Sequence, residues 1–283
     1  MSMQPRTVAY FGDIVGKPGR HAFAYAASVL RSQHPDIILI TNAENARHGR
    51  GLHPEGYREI RDAGADAITL GDHFLDDERI IPLLNNPDEP VVGPMNVPES
   101  PQNAKPYFRI PETDPPLYIL VVCGRVFMRF QSANPFDAVD SALARITEEA
   151  DNALVLLEVH AEATSEKMAL AWHAADRWPN HIVGVVGTHT HVQTADARIV
   201  AGRVAAITDL GLTGGHSGVI GFATAASLRR LRDDQPSGLE LAESDLRAQG
   251  LLITLDPDSR AATGAEPFSI GVPGIIPDGE EPG

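Results

Sequence analysis

Short apolar runs alternate with amphipathic segments along the first two thirds of the chain. Residues 7–11 (TVAYF), 37–40 (IILI), 67–70 (AITL), 153–159 (ALVLLEV), 182–186 (IVGVV) and 204–208 (VAAIT) are nearly continuous in apolar side chains. Runs of this length and composition predict strands buried on both faces. Phe23, Ala26, Ala27 and Leu30 repeat at helical spacing, and Phe136, Val139, Leu143 and Ile146 form a second such stripe, so two amphipathic helices are predicted. Pro18 is placed to open the first of them. Further helices are predicted from about Pro54 to Ala63, closed by Gly64, and from about Thr164. Strands separated by helices define an α/β class with a layered sheet. Residues 87–116 are rich in Pro and Asn and read as a long excursion, and from Glu266 onward the chain is Pro, Gly and acid. The expected division is therefore one domain over 1–265 and a loosely ordered Pro/Gly/acidic tail over 266–283; there is no internal repeat.

Composition narrows the picture by exclusion. The 283 residues carry 23 Lys plus Arg against 38 Asp plus Glu, a net charge of −15 with neutral His. That balance argues against a nucleic-acid duplex or an acidic membrane as partner, since both need basic faces. A small phosphorylated substrate remains open, because a bound metal reverses the local sign. No apolar stretch approaches the length of a transmembrane helix, and the opening MSMQPRTVAY lacks the apolar core of a signal peptide. The single cysteine, Cys123, leaves no disulfide framework. A cytoplasmic location is expected.

The eleven histidines matter more through their positions. Each apolar run delivers a potential metal ligand at its carboxyl end: Asp13 after the first, Glu44 and Asn45 after the second, Asp72 and His73 after the third, His160 after ALVLLEV, and His189 and His191 after IVGVV. Open α/β sheets bind ligands beyond the carboxyl ends of their strands, so residues far apart in sequence converge on one rim. Singly, Asp13 reads equally as a solvated turn residue, Glu44 and Asn45 as a helix start, and Asp72 and His73 as a cap with its neighbour. His160 ends a seven-residue apolar run and needs a buried partner. His189 and His191 are two apart, so in extended backbone both point the same way. Together the set is carboxylate, amide and imidazole, the mixture that suits iron, manganese or zinc.

The blocks GDIVGKPGR, NAENA, ITLGDHFLD, HAEATSEK, GTHTHVQTAD and ITDLGLTG resemble the signature segments of calcineurin-like metallophosphoesterases. More narrowly, they resemble the YmdB-like bacterial cyclic-nucleotide phosphodiesterases, over residues 7–221. The resemblance implies a four-layered α/β/β/α sandwich, two metal ions per chain (iron or manganese) and a homo-oligomer. It implies one metal held by Asp13, Glu44, Asn45 and His191, a second by Glu44, Asp72, His160 and His189, and His73 as catalytic proton donor. It implies hydrolysis of 2′,3′- or 3′,5′-cyclic nucleotides. The chemistry agrees: two cations can activate a water and clamp the oxygens of an in-line displacement, and an imidazole can protonate the leaving alkoxide. Two alternatives stand beside this reading, a small-molecule phosphomonoesterase and a weakly active regulatory protein that binds metal and nucleotide.

One position departs from the family, which has Gly-Asn-His where this chain has Gly71-Asp72-His73. The extra negative charge is expected to hold metal more tightly, to leave a bridging water less acidic and to tolerate a trivalent ion. Arg47 and Arg50 lie in the loop after Asn45 and are candidate substrate-binding residues, with a solvated loop as the alternative. Arg125 reads as an anchor of the sheet, Asp209 as either a turn residue or a support for a His ligand, and Lys167 as a helix-surface charge. His21, His34, His53, His173, His181 and His216 have no ligand-like context. GKPGR lacks the GxxxxGK[ST] of a phosphate loop.

Overall fold

The computed structural model describes residues 4–98, 101, 104–235, 238 and 240–274. In chain order its elements are β1 (Arg6–Phe11), β2 (Asp13–Ile14), α1 (Gly16–Gln33), β3 (Ile38–Asn42), α2 (Pro54–Asp62), β4 (Ala67–Thr69), α3 (Ile81–Asn85), β5 (Val91–Val92), β6 (Tyr107–Ile110) and β7 (Leu117–Cys123). There follow α4 (Pro135–Glu149), β8 (Leu154–His160), α5 (Thr164–Arg177), β9 (Ile182–Thr188), β10 (Arg198–Val200), β11 (Val204–Ile207), β12 (Leu212–Gly215), α6 (Thr224–Leu231), β13 (Leu246–Asp256) and β14 (Ala261–Gly271).

Two sheets result. The first has eight strands in the order β2-β12-β13-β1-β3-β4-β5, with β14 paired along β13. The second has six, in the order β10-β11-β9-β8-β7-β6. In the first, β1, β3 and β4 run parallel; in the second, β7, β8, β9 and β11 do. Residues on a strand alternate between faces, and the packing follows that period. Ala9 and Phe11 of β1 join Phe23, Ala26, Ala27 and Leu30 of α1 in one core. Val8 and Tyr10 point the other way, into a second core with Ile119 and Val121 of β7 and Leu156 of β8. Leu120, Val122, Val155 and Leu157 then face Val139, Leu143 and Ile146 of α4 and Leu170 of α5 in a third. Three cores between four layers make an α/β/β/α sandwich and explain the apolar runs: both faces of each central strand are covered. Asn134 caps α4, accepting a hydrogen bond from the Phe136 amide, with Pro135 opening the helix. Gly64 ends the α2 turn at φ +104°, a backbone conformation glycine adopts without strain.

Three features depart from the sequence reading. The Pro- and Asn-rich excursion contains β5 and β6, which extend one sheet each. LYILVVC, outside the apolar runs singled out, forms the fully buried β7. Residues 266–271, expected to be loosely ordered, instead continue β14, because Phe268 packs its ring edgewise on Phe11 at 5.0 Å and β13 supplies a ladder through Gly271. Residues 275–283 lie outside the described residues. Among the described residues no helix is long and apolar enough to cross a membrane.

Candidate metal centre

Parallel strands end on a common rim, and both sheets present that rim to the same cavity, of about 720 Å³. From the first sheet come Asp13, opening β2, Glu44 and Asn45 beyond β3, and Asp72 and His73 beyond β4. From the second come His160, the last residue of β8, and His189 and His191, just past β9. Every oxygen-bearing candidate therefore stands on one sheet and every candidate imidazole ligand on the other.

The tightest group is Glu44, Asp72, His160 and His189, whose ligand atoms all lie within 4.8 Å of one another. His160 Nε2 is 3.0 Å from Glu44 Oε1, 2.9 Å from Asp72 Oδ1 and 3.1 Å from His189 Nδ1. Beside it lie the remaining three: His191 Nε2 is 3.2 Å from Asn45 Nδ2 and 4.0 Å from Asp13 Oδ1. Asn45 Nδ2 in turn is 3.3 Å from Glu44 Oε1. All seven sequence-predicted ligands are thus gathered at one place, with Glu44 common to both halves.

The residues fit a cation. Asp13 Oδ1 is buried without a hydrogen-bond partner, a state that is costly for a carboxylate unless something positive meets it. Burial raises the Asp13 pKa, with Glu44 adding to the effect and His160 opposing it. Burial also works against a charged His160, yet Glu44 and Asp72 outweigh it and raise its pKa; carboxylates that favour positive charge on a buried ring favour it on a cation as well. The imidazoles are oriented for ligation. His191 Nδ1 lies 3.0 Å from the Ile220 carbonyl, which accepts its proton and leaves Nε2 facing the carboxylates. The Thr188 hydroxyl donates to Glu158 Oε1 at 2.7 Å and so accepts from His160 Nδ1 at 2.9 Å, freeing Nε2 in the same way.

His189 and His191 are not in extended backbone. They occupy a loop past β9 with φ of +96° and +63°, conformations that strain side chains other than glycine. Thr190 between them is held by Asp209 Oδ2, which accepts from its amide at 3.1 Å and its hydroxyl at 2.7 Å. Lys167 Nζ donates to the same oxygen at 2.9 Å. Lys167 is therefore no surface charge: α5 turns it inward, and only 4% of it is exposed. Asp209 supports the histidine loop through Thr190.

His73 sits at the cavity wall. Its amide donates to Glu44 Oε2 at 2.9 Å, and its Nδ1 is 3.2 Å from Asp76 Oδ2. Asp76 also pairs with Arg50 Nε at 3.0 Å, and Arg50 lines the cavity. Arg47 does not; it turns to Asp77 at 3.2 Å and ties down its own loop. The Arg125 amide, not its exposed side chain, makes the contact there, donating to Glu166. His173 pairs with Asp140 and His181 with the Ala153 carbonyl, clear of the cluster.

Sequence reasoning missed Glu158. Fully buried in β8, its carboxylate accepts from Tyr10 Oη at 2.8 Å, from Asn42 Nδ2 and Thr188 Oγ1 at 2.7 Å each, and from Thr69 Oγ1 at 2.5 Å. Three donors belong to the first sheet and one to the second, so the side chain staples the sheets directly behind His160. The signal was a carboxylate inside an apolar run, which a buried strand admits only with partners. Gly71 has its own role: a Cβ there would collide with the His160 ring. Gly71→Ala is expected to turn that ring, to cost about 1–3 kcal/mol of stability and to lower bound metal by elemental analysis; unchanged metal content would show that the ring has room to move.

A four-layered sandwich that gathers carboxylates, an amide and imidazoles on the rim of its parallel strands defines a candidate metal-binding protein. Residues 9–268 match the family model described as YmdB-like protein. The chain is 34% identical over 260 residues to the 2′,3′-cyclic-nucleotide 2′-phosphodiesterase of Bacillus subtilis (strain 168), covering 92% of this chain and 95% of that one. It superposes on the crystal structure of a hypothetical protein from Thermus thermophilus with a TM-score of 0.82 at 34% identity, covering 94% and 100% of the two chains. It also superposes on a crystal structure described as a novel phosphatase from Mycoplasma pneumoniae, with a TM-score of 0.83 at 27% identity, covering 95% and 94%. The chain belongs to the YmdB-like family.

Proposed function

We propose that the chain hydrolyses cyclic nucleotides, 2′,3′-cyclic phosphates first among them, at a centre of two iron or manganese ions. The observation that carries this reading is Glu44: Oε1 lies within 3.3 Å of both His160 Nε2 and Asn45 Nδ2, so one carboxylate serves two adjacent donor sets. Asp13, Glu44, Asn45 and His191 would hold one ion, and Glu44, Asp72, His160 and His189 the other. When bound, such ions supply Lewis acidity to the phosphoryl group and acidify a coordinated water. The protein's own residues do the rest. Asp76 Oδ2, 3.2 Å from His73 Nδ1, steadies the ring at the cavity wall, leaving Nε2 to protonate the departing ribose oxygen. Arg50, fixed by the same carboxylate, binds a phosphate oxygen of the substrate. The phosphodiester at the 2′ oxygen is exchanged for a hydroxyl there and a 3′-phosphomonoester.

The test is elemental analysis of protein purified without added metal, with hydrolysis of adenosine 2′,3′- and 3′,5′-cyclic phosphate assayed on the same sample. About two iron or manganese ions per chain with turnover, lost on His73→Ala with the metal retained, is the expected result. Less than one ion per chain with no rescue by manganese would overturn the proposal.

A further inference from the structure

Hydrolysis of a mononucleotide leaves part of the cavity wall unused. Beyond the cluster the cavity is lined by Arg129 and Arg230, both exposed. Among the described residues neither guanidinium makes a hydrogen bond or an ion pair. Both guanidiniums are therefore free to meet a ligand that enters the cavity, whereas Arg47 is committed to Asp77 and Arg50 to Asp76. Near Arg129 on the same wall stands Phe127, 85% exposed, with φ +63°. An exposed aromatic ring on the cavity wall, carried on backbone that favours glycine, is placed to stack on a ligand. At about 720 Å³ the cavity lies toward the upper end of the range of about 300–1,000 Å³ seen for ligand pockets.

We propose that this wall is a second subsite, in which Arg129 and Arg230 hold a phosphate on the 5′ side of the cyclic nucleotide and Phe127 stacks the preceding base. The preferred substrate is then the 2′,3′-cyclic-phosphate end of a short single-stranded oligonucleotide. The inference rests on the cyclic-phosphate hydrolysis proposed above. Guanidinium is the side chain that grips a phosphate through two parallel hydrogen bonds. An aromatic ring accepts any base, because every base has a π face. The net charge of −15 repels a long polyanion or a duplex, whereas two unpaired arginines at the cavity admit one terminus. The chemistry at the cluster is unchanged. Water oxygen joins phosphorus, the bond from phosphorus to O2′ breaks, and a proton passes to O2′. A 3′-phosphate and a 2′-hydroxyl remain, with the internal phosphodiester intact.

Steady-state kinetics of the metal-loaded enzyme on three probes test this. The probes are adenosine 2′,3′-cyclic phosphate, its 5′-phosphorylated form, and adenylyl-(3′→5′)-adenosine 2′,3′-cyclic phosphate. The dinucleotide is expected to show a kcat/KM about tenfold or more above the mononucleotide, the scale of one stacked base, carried mainly by KM, with the 5′-phosphorylated form between them. In Arg129→Ala/Arg230→Ala the ratio of dinucleotide to mononucleotide should fall to near one, and Phe127→Ala should bring the dinucleotide down to the 5′-phosphorylated form. Mononucleotide turnover with no dinucleotide preference, or a ratio untouched by the variants, would overturn this inference and leave the hydrolysis standing. Equal rates on the dinucleotide and the 5′-phosphorylated mononucleotide would overturn the oligonucleotide assignment. Turnover of none of the probes would overturn both readings.

Discussion

Glu44→Gln is expected to empty the metal centre and abolish turnover while the protein still folds. The substitution keeps the volume of a fully buried side chain but removes the charge that faces His160 at 3.0 Å and stands beside Asn45 at 3.3 Å. It also puts an amide where the His73 backbone N–H now finds an acceptor at 2.9 Å. The other candidate ligands each serve one half of the site, so no neighbour replaces it. Loss of the two cations proposed above would remove several kcal/mol of transition-state stabilisation, which at about 1.4 kcal/mol per decade is a rate loss on the order of 10³ or more. Elemental analysis beside a cyclic-nucleotide assay reads both effects. Full metal content in Glu44→Gln would deny the residue its shared role.

Glu158→Leu should act on the fold instead. Its carboxylate has four donors converging on it, in a place with no access to water. Removing the acceptor orphans the Tyr10, Thr69 and Thr188 hydroxyls and the Asn42 amide, at about 1–3 kcal/mol for each group left unsatisfied. With partial relaxation the loss is about 4 kcal/mol, a large share of the roughly 5–15 kcal/mol that holds a domain together. The thermal midpoint falls by about 8 °C for a chain of this size. Glu158→Gln retains the shape and one acceptor oxygen, and the Tyr10 and Thr69 hydroxyls can turn to accept from the new amide, so it should lose less. Because Thr188 is also released from fixing the His160 tautomer, metal affinity in Glu158→Leu should weaken even where the protein remains folded. A midpoint within about 1 °C of the parent would show that water or repacking satisfies the four donors.

What could be read from the sequence was what is local. The stripe of Phe23, Ala26, Ala27 and Leu30 is a one-helix pattern, and α1 carries it. The metal-ligand candidates lie at or near strand ends, so the candidate set was legible strand by strand, and the fold brings those ends together. Pairings across the chain were not visible. The partner of Lys167 is Asp209, 42 residues on, and nothing local distinguishes a buried ammonium from a surface one. The edge of the first sheet was hidden for the same reason: β13 alternates buried and half-buried positions, and β14 contains Thr, Ser, Glu and Pro. β13 takes its place by pairing with β1, some 240 residues earlier, and β14 by pairing with β13. The extended reading of GTHTH failed because β9 stops at Thr188, and the loop beyond it bends under the hold of Asp209 on Thr190.

The separation of donors by sheet makes chelation a property of assembly. Asp13, Glu44, Asn45 and Asp72 offer only side-chain oxygens and an amide, and His160, His189 and His191 only imidazoles; either set alone is a poor trap. The mixed, enclosing donor set comes into being when the two halves close on each other, and an ion held there would join them. Holoprotein should resist the sliding of one sheet over the other by RT ln(1 + [metal]/Kd), a margin set by the metal supply of the surroundings.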